Sequence, residues 1–534
     1  MPSNVVPGTH LRAMCTPREI ELKFDFNPAD ERRLKQRLGR LSRRKRPTSE
    51  AMVSVYFDRP DLRLSARGIS LRVRHSGSRY QQTIKKANEQ TAGLFDRAEW
   101  EHDIKGPEPQ LSATESAILD DVLNKELAGT LQPIFETRVR RLTYHLVSRG
   151  QRVELALDQG EIDTGKRSMP ICELELELTN GEPGGLFAVA KALNEVVPLR
   201  LAVKAKADHG YELLRNDVNP VDKATDVHLT PEMITQDAFR IIANGCLRQL
   251  IANEPATIAS NVEALHQMRI ALRRLRAAIS AFANVVADSD WQNIKSELRW
   301  ITGELGPARD LDVFAAEVLT PLRAQNAGEP GVLELSRDFE RRRAKAHKEV
   351  VATITSRRFR TFVLDTAAWI EAGPWTRVDD DLQRLRRGQN VLAHASGELT
   401  RRRRKLRRGG KPLQELSPLE RHALRIAAKR LRYTVEFFAD LFPGKTSAKR
   451  CERMLSALKD MQDALGSLND IAVRERLAEQ IALSKRMNPN APGTRQRAFA
   501  AGLIFGSQGA YVAELLDAAE NAYARLLDVK SFWK

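Results

Sequence analysis

The sequence predicts an α+β chain in two parts, a closed antiparallel sheet followed by an all-helical half. Three observations lead there. Strict charged–apolar alternation, the period of a strand with two different faces, returns in stretch after stretch up to about residue 215. Beyond residue 231 that period gives way to helical periodicity almost to the C-terminus. Within the helical half, one basic pattern occurs twice.

The first alternating stretch is Glu19-Ile20-Glu21-Leu22-Lys23, with two carboxylates and an ammonium on one strand face. A basic helical stretch follows over about Pro28–Leu41. Val53–Asp58 reads as a strand and Pro60-Asp61 as a turn. Ile69–Arg74 carries Arg72 and Arg74 at i, i+2, and Gln81–Lys85 alternates again. Arg97-Ala98-Glu99-Trp100-Glu101 sets three charges on one face and Trp100 on the other. After a helical stretch near Ser112–Leu127, Pro133–Arg140 offers Arg138 and Arg140. Val153–Gly160 places Glu154 and Asp158 at i, i+4 ahead of a glycine turn, and Ile171–Leu178 aligns Glu173, Glu175 and Glu177. A helix over about Leu186–Val196 precedes Ala205–Tyr211.

An open sheet would gain little by showing so many charges to water. Closing it lets opposite signs compensate around a wet lumen, while the apolar outer face packs under helices. In such a lumen Arg and Lys would clamp phosphate oxygens. Glutamates would hold Mg²⁺ or Mn²⁺, hard ions that bridge to phosphate. Metal-assisted phosphoryl hydrolysis needs that combination.

Bulk properties agree. At 534 residues, 42% hydrophobic and 29% charged, the chain is globular and too long for one core. Its net charge of +17 points to a polyanionic partner, and only 6% aromatic residues disfavours base stacking on single-stranded nucleic acid. Four scattered cysteines (Cys15, Cys172, Cys246, Cys451) form no CxxC pair, which argues against a disulfide framework or zinc site. No signal pattern or run of about 20 apolar residues occurs, so the expected location is cytoplasmic, in association with polyphosphate granules, with no membrane partner. Residues 1–13 show no periodicity, which makes Met14 a plausible alternative start.

In family order, Glu-Ile-Glu-Leu-Lys at 19–23, Leu-Arg-Val-Arg at 71–74, Arg-Ala-Glu-Trp-Glu at 97–101 and Glu-Leu-Glu-Leu-Glu at 173–177 resemble the CYTH domain of the triphosphate tunnel metalloenzymes. The resemblance spans about residues 17–215. It implies an eight-stranded antiparallel β-tunnel with flanking helices that binds a linear triphosphate and hydrolyses its terminal phosphoanhydride. It also implies Mg²⁺ or Mn²⁺ on Glu19, Glu21, Glu99, Glu101, Glu173 and Glu175. Phosphate would sit on Lys23, Arg72, Arg74, Lys85, Arg97, Arg138 and Lys206, and water would be oriented by Glu154, Glu173 or Glu175. Ala205 and His209 depart from the family's closing segment, which puts contacts there in doubt.

Residues 216–231 are polar, contain two prolines and read as a linker to a helical domain over 232–530. There, His266–Arg276 recurs as His422–Arg432, and Leu305-Gly306 with Asp310 is echoed by Leu465-Gly466 with Asp470. His266, Arg269, Arg273 and Arg276 share one helical stripe. Neither repeated histidine has a second His or Cys at i+3 or i+4, which disfavours zinc. The pattern resembles the CHAD domain. That implies two pseudo-symmetric four-helix halves binding inorganic polyphosphate through His266, Arg269, Arg273, Arg274, His422, Arg425, Lys429 and Arg430, with Tyr433 closing the second copy. Asp310 and Asp470 are expected to orient helices or pair with arginines, and the run Arg401–Arg408 to extend the polyanion path.

The expected activity is metal-dependent hydrolysis of inorganic triphosphate to pyrophosphate and phosphate, beside a polyphosphate-binding module. Two alternatives stand. One keeps the tunnel with an organic triphosphate (a nucleoside or thiamine triphosphatase, or an adenylate cyclase). The other is a non-catalytic scaffold for polyphosphate or nucleic acid, although so many lumen carboxylates serve no purpose in a pure polyanion binder, and nucleic acid is disfavoured as a partner.

Overall fold

The computed structural model describes residues 18–42, 46–86, 92–111, 130–148, 151–217, 219–378, 380–407, 412–482 and 511–534. The helix expected at 112–127 lies outside them, as do Cys15 and residues 499–510. The chain divides into two compact units, Met1–Val218 and Asn219–Lys534.

The first unit contains β1 (Arg18–Asp25), β2 (Thr48–Asp58), β3 (Ile69–Ser76), β4 (Arg79–Lys86) and β5 (Leu94–Ile104). It continues with β6 (Gln132–Ser148), β7 (Gln151–Asp163), β8 (Ser168–Asn180) and a two-residue β9 (Arg200–Leu201) on β1. The order β5-β4-β3-β2-β6-β7-β8-β1 is antiparallel throughout, and β1 pairs with β5, so eight strands close into a ring. The alternating strands thereby acquire an inside and an outside. Leu22 and Phe24 of β1 and Leu174 and Leu176 of β8 face outward and are fully buried. They lie on the side covered by α2 (Pro183–Asn194), which buries Leu186, Phe187, Ala190 and Leu193 against these strands. Leu34 and Leu38 bury the apolar face of α1 (Glu31–Leu41), which contacts β6.

One local expectation is corrected. Gly160 is not a turn: β7 runs on to Asp163, and Gly160 sits where any Cβ would collide with the Arg138 carbonyl of β6. The segment after Ala205 is a helix, α3 (Lys206–Arg215), whose Asp208 side chain accepts from the Ala205 N–H at 2.7 Å. Tyr211 on α3 donates to the fully buried Asp58 at 3.0 Å, and Asp58 also accepts from the Leu64 and Ser65 N–H groups. That carboxylate ties α3 and the loop after β2 together.

The described part of the second unit is helical, and none of its helices is long and apolar enough to cross a membrane. The helices used below are α4 (Thr235–Ala252), α5 (Val262–Ala281), α6 (Trp291–Glu304), α7 (Gly306–Phe314), α8 (Val391–Arg407), α9 (Pro418–Phe438) and α10 (Lys445–Ala482). The repeated pattern occupies α5 and α9, which pack on each other. Each is started by a side-chain cap: Asn261 accepts from the Glu263 and Ala264 N–H groups, and Ser417 forms a capping box with Glu420. The repeat survives in three dimensions. A Cβ at Gly306, opening α7, would lie 3.3 Å from Arg269, and one at Gly466 in α10 would lie 3.8 Å from Arg425. Each glycine faces the matching arginine, closely only at Gly306.

The arginine run on α8 is not one anion-facing patch. Arg402 and Arg403 are buried. Arg402 donates to Glu398 at 2.5 Å and to Ser280 at 3.2 Å, and Arg403 caps the Leu527 and Val529 carbonyls. They bind protein, because a buried guanidinium must first satisfy its own donors.

Candidate active site and anion groove

The ring encloses a cavity of about 330 Å³. Its wall includes Glu19, Glu21 and Lys23 of β1, Arg72 and Arg74 of β3, Lys85 of β4, and Glu99 and Glu101 of β5. It also includes Arg141 of β6, Glu154 and Asp158 of β7, Glu175 and Glu177 of β8, and Lys206 of α3. The charges sort into three groups.

The first is neutralised. Asp158, Glu173 and Glu175 bring three carboxylate oxygens within 4.8 Å of one another, a spacing that suits a cation, and Lys206 supplies one. Its Nζ lies 2.9 Å from Asp158, 2.5 Å from Glu173 and 2.9 Å from Glu175. Lys23 approaches Glu175 at 2.5 Å. Arg141 grips Asp158 with two bonds of 2.7 and 2.6 Å and also contacts Glu175. Burial pushes the Glu175 carboxyl up, but Lys206, Lys23 and Arg141 together hold it well below the usual range. Glu173 and Glu175 were expected on the metal and near the water; here three cations already serve them and Asp158.

The second group is short of positive charge. Glu21 on β1 stands directly across from Glu177 on β8, and Glu177 directly across from Glu154 on β7. Like charges facing one another on adjacent strands repel. Burial and the neighbours Glu19, Glu154, Glu21 and Glu99 push the Glu177 carboxyl up to about 7. Lys23 reaches Glu21 at 3.0 Å, and Lys85 bridges Glu19 and Glu99 at 2.7 and 3.0 Å. His145 stands 3.7 Å from Glu154, an attraction only when it is protonated. Hard carboxylate oxygens with too little compensating charge are the donor set that Mg²⁺ or Mn²⁺ takes. The residues present therefore fit a divalent ion here better than at Glu173 and Glu175.

The third group is short of negative charge. The Nε atoms of Arg72 and Arg74 are buried without an acceptor. Arg72, burial and Arg141 lower the Arg74 guanidinium to about 10, so Arg74 carries the cost of this crowding, while Glu99 and Glu101 support the charge on Arg72. Glu101, which accepts from Thr83 at 3.1 Å, counters the crowding in part. Orphaned donors among crowded guanidinium groups suit a phosphate.

Arg138 is corrected. Its side chain is 54% exposed, does not line the cavity, and pairs with Glu136, Glu161 and Asp163. On β6 the inward positions are Thr137, Val139 and Arg141, so Arg138 and Arg140 point outward and Arg141 is the lumen arginine. Arg97 lies on β5 opposite Glu19; its side chain is outside the described set.

The helical unit has a groove of about 560 Å³ between α5, α6 and α9. Six cations line it: Arg273, Arg276, Lys295, Arg299, Lys429 and Arg430, with no carboxylate among the described lining residues. Arg273 approaches the Tyr433 hydroxyl at 3.4 Å, joining the two repeat copies. Arg269 is held by the Thr302 carbonyl at 3.5 Å, with Asp310 at 4.0 Å. His266 is half-buried, its Nδ1 has no partner, and burial with Arg309, Arg273 and Arg269 nearby lowers it to about 4. His422 is exposed, and Arg274 lies over the Phe437 ring at 5.6 Å, away from the groove lining. The Asp470 side chain is outside the described set. Arg276, Lys295 and Arg299 were not among the expected ligands. Lys295 and Arg299 carry only a weak signal, an i, i+4 pair on α6.

Comparison with known proteins settles the family. Residues 17–211 match the family model of the CYTH domain, and residues 241–479 that of the CHAD domain. The chain is a CYTH domain joined to a CHAD domain. Over 196 residues it is 28% identical to an inorganic triphosphatase of Haemophilus influenzae, covering 37% of this chain and 55% of that protein. The match thus spans about half of that relative. An uncharacterized protein of Mycobacterium tuberculosis is 25% identical over 508 residues, covering 89% of both chains. The crystal structure of a CHAD domain from Ricinus communis aligns with a TM-score of 0.48 and 26% identity, covering 57% of this chain and 96% of that one.

Proposed function

We propose that the CYTH domain hydrolyses inorganic triphosphate and that the CHAD groove binds inorganic polyphosphate. The observation that carries the first reading is the pairing, within one closed cavity, of a cation-seeking row (Glu21, Glu177, Glu154) with buried guanidinium donors that have no acceptor (Arg72, Arg74). A triphosphate bridged by a divalent ion brings positive charge to the facing carboxylates and acceptors to the arginine donors. The named activity of the Haemophilus relative supports the inorganic substrate.

Glu21, Glu154 and Glu177, with Glu19 and Glu99 beside them, would hold Mg²⁺ or Mn²⁺. When bound, the ion supplies Lewis-acid charge to phosphate oxygens. Arg72, Arg74 and Arg141 bind and orient the phosphate chain, and preorganised donors of this kind stabilise charge that grows at the leaving oxygen. Lys206, Lys23 and Arg141 keep Asp158 and Glu175 ionised and fixed, which positions Arg141 for that task. Among the three glutamates expected to orient water, Glu154 is the one with no lysine or arginine contact among the described residues, so it takes that role. The groove's single sign of charge supports polyphosphate in the CHAD domain.

Glu21→Ala is expected to abolish phosphate release from tripolyphosphate in Mg²⁺ or Mn²⁺ while circular dichroism stays unchanged. Undiminished turnover would sink the mechanism. A panel of tripolyphosphate, long-chain polyphosphate and ATP, scored for phosphate and cyclic AMP with each metal, tests the substrate.

A further inference from the structure

The six groove cations surround an apolar surface that phosphates alone do not cover. Ala277 and Ile279 of α5, Leu298 and Trp291 of α6, and Ile426 and Tyr433 of α9 line the same cavity. Ile426 is 38% exposed and is the one large apolar side chain of α9, apart from Leu419 at its first turn, that is this open to solvent. Polyphosphate is hydrophilic along its whole length. Laid here, it would leave this wall in water.

The repeat ends at this wall. Aligning His266 with His422 places Ala277 opposite Tyr433. The small side chains of Ala277, Ser280 and Ala283 line one side of the groove, and Tyr433 stands on the α9 side. The two ends of an inorganic chain are chemically alike, so a pseudo-symmetric site for it has no reason to differ between copies. A chain with an organic group at one end does. The volume, about 560 Å³, lies within the range of small-molecule sites.

We propose that this groove is a nucleotide site: it takes a nucleoside triphosphate with the base against Trp291, Leu298 and Ile426 and the phosphates on Arg273, Lys429 and Arg430. The inference rests on reading the groove as a phosphate site and adds the class of ligand. Lys295 holds its ammonium 5.0 Å from the centre of the Trp291 ring, which leaves the base to pack on the edge of that ring and on the aliphatic wall.

The test is photolabelling of the full-length protein with 8-azidoadenosine 5′-triphosphate, read peptide by peptide so that groove and tunnel labelling are separated. Label is expected within residues 291–299 or 426–433, protected by ATP at least tenfold better than by tripolyphosphate. It should fall at least fivefold in Ala277→Tyr, which installs the second copy's residue, and in Ile426→Ser, a change at an open position that spares the core. Label confined to the tunnel strands, equal protection by tripolyphosphate, or groove label indifferent to both variants would overturn the proposal. Groove label displaced by ATP but not by long-chain polyphosphate supports the nucleotide site and removes the polyphosphate reading instead.

Discussion

The tunnel and the groove, both proposed as phosphate sites, pose opposite electrostatic problems, and Glu177 and His266 show how. Glu177 is pushed up to about 7 by burial and by carboxylates on three other strands. His266 is lowered to about 4 by burial and by arginines around it. Each is driven toward its neutral form because charge of one sign is crowded near it. In the tunnel the crowding is local, since Asp158, Glu173 and Glu175 a few residues away are compensated by Lys206, Lys23 and Arg141. In the groove no carboxylate among the described lining residues offsets the cations. An enzyme that must hold both a metal and a phosphate needs both signs fixed in one place. A polyanion site needs only one.

That contrast is open to test, most strongly through stability. Lys206→Met leaves three buried carboxylates short of their shared cation and is expected to destabilise the CYTH domain by about 3–5 kcal/mol in urea unfolding. Arg273→Ala in the groove is expected to cost no more than about 0.5 kcal/mol, because it relieves repulsion as it removes contacts. Equal losses would erase the distinction.

Salt should separate the sites next. Polyphosphate affinity at the groove is expected to fall steeply with ionic strength, with the log–log slope reduced by about 1 in Arg273→Ala. KM for tripolyphosphate should move far less, since buried charges are screened little. Equilibrium binding and steady-state kinetics over one salt series check both.

The smallest effects are in pH, and their signs differ. Glu177 has its folded pKa raised from 4.5 to about 7, so the folded protein holds an extra proton between those values. Its penalty is absent below about pH 4.5 and grows as pH rises through 7. Glu177→Gln, or added Mg²⁺, should raise the melting temperature of metal-free protein at pH 8 and leave it unchanged at pH 4. His266 is depressed from 6.5 to about 4, so the stability it contributes is present above 6.5 and lost as pH falls toward 4. His266→Gln should flatten that acid limb alone. Calorimetry across pH reads both.

Much of this site is visible in the chain itself. Alternation shows that Glu19, Glu21 and Lys23 share a face, and the repeat shows that His266–Arg273 and His422–Lys429 occupy equivalent positions. Period two cannot say which of two charged faces points inward. In Arg138-Val139-Arg140-Arg141 the i, i+2 pair drew attention, yet closure with β7 turned Arg141 toward Asp158 and left Arg138 on the surface. The α3 helix was obscured by its mixed composition, and the α6 cations by lying outside the repeat.

Periodicity and duplication thus sufficed for the two fold classes and for the residues that travel together on a strand face or a helix stripe, because both are local properties of the backbone. The tertiary structure decided which carboxylates are already neutralised and which still lack a cation. That is a question of partners, and Lys206 meets Asp158 and Glu173 only once the ring has closed and α3 lies against β6 and β7. Coulombic energy depends on distance in space, which the order of residues along the chain does not contain.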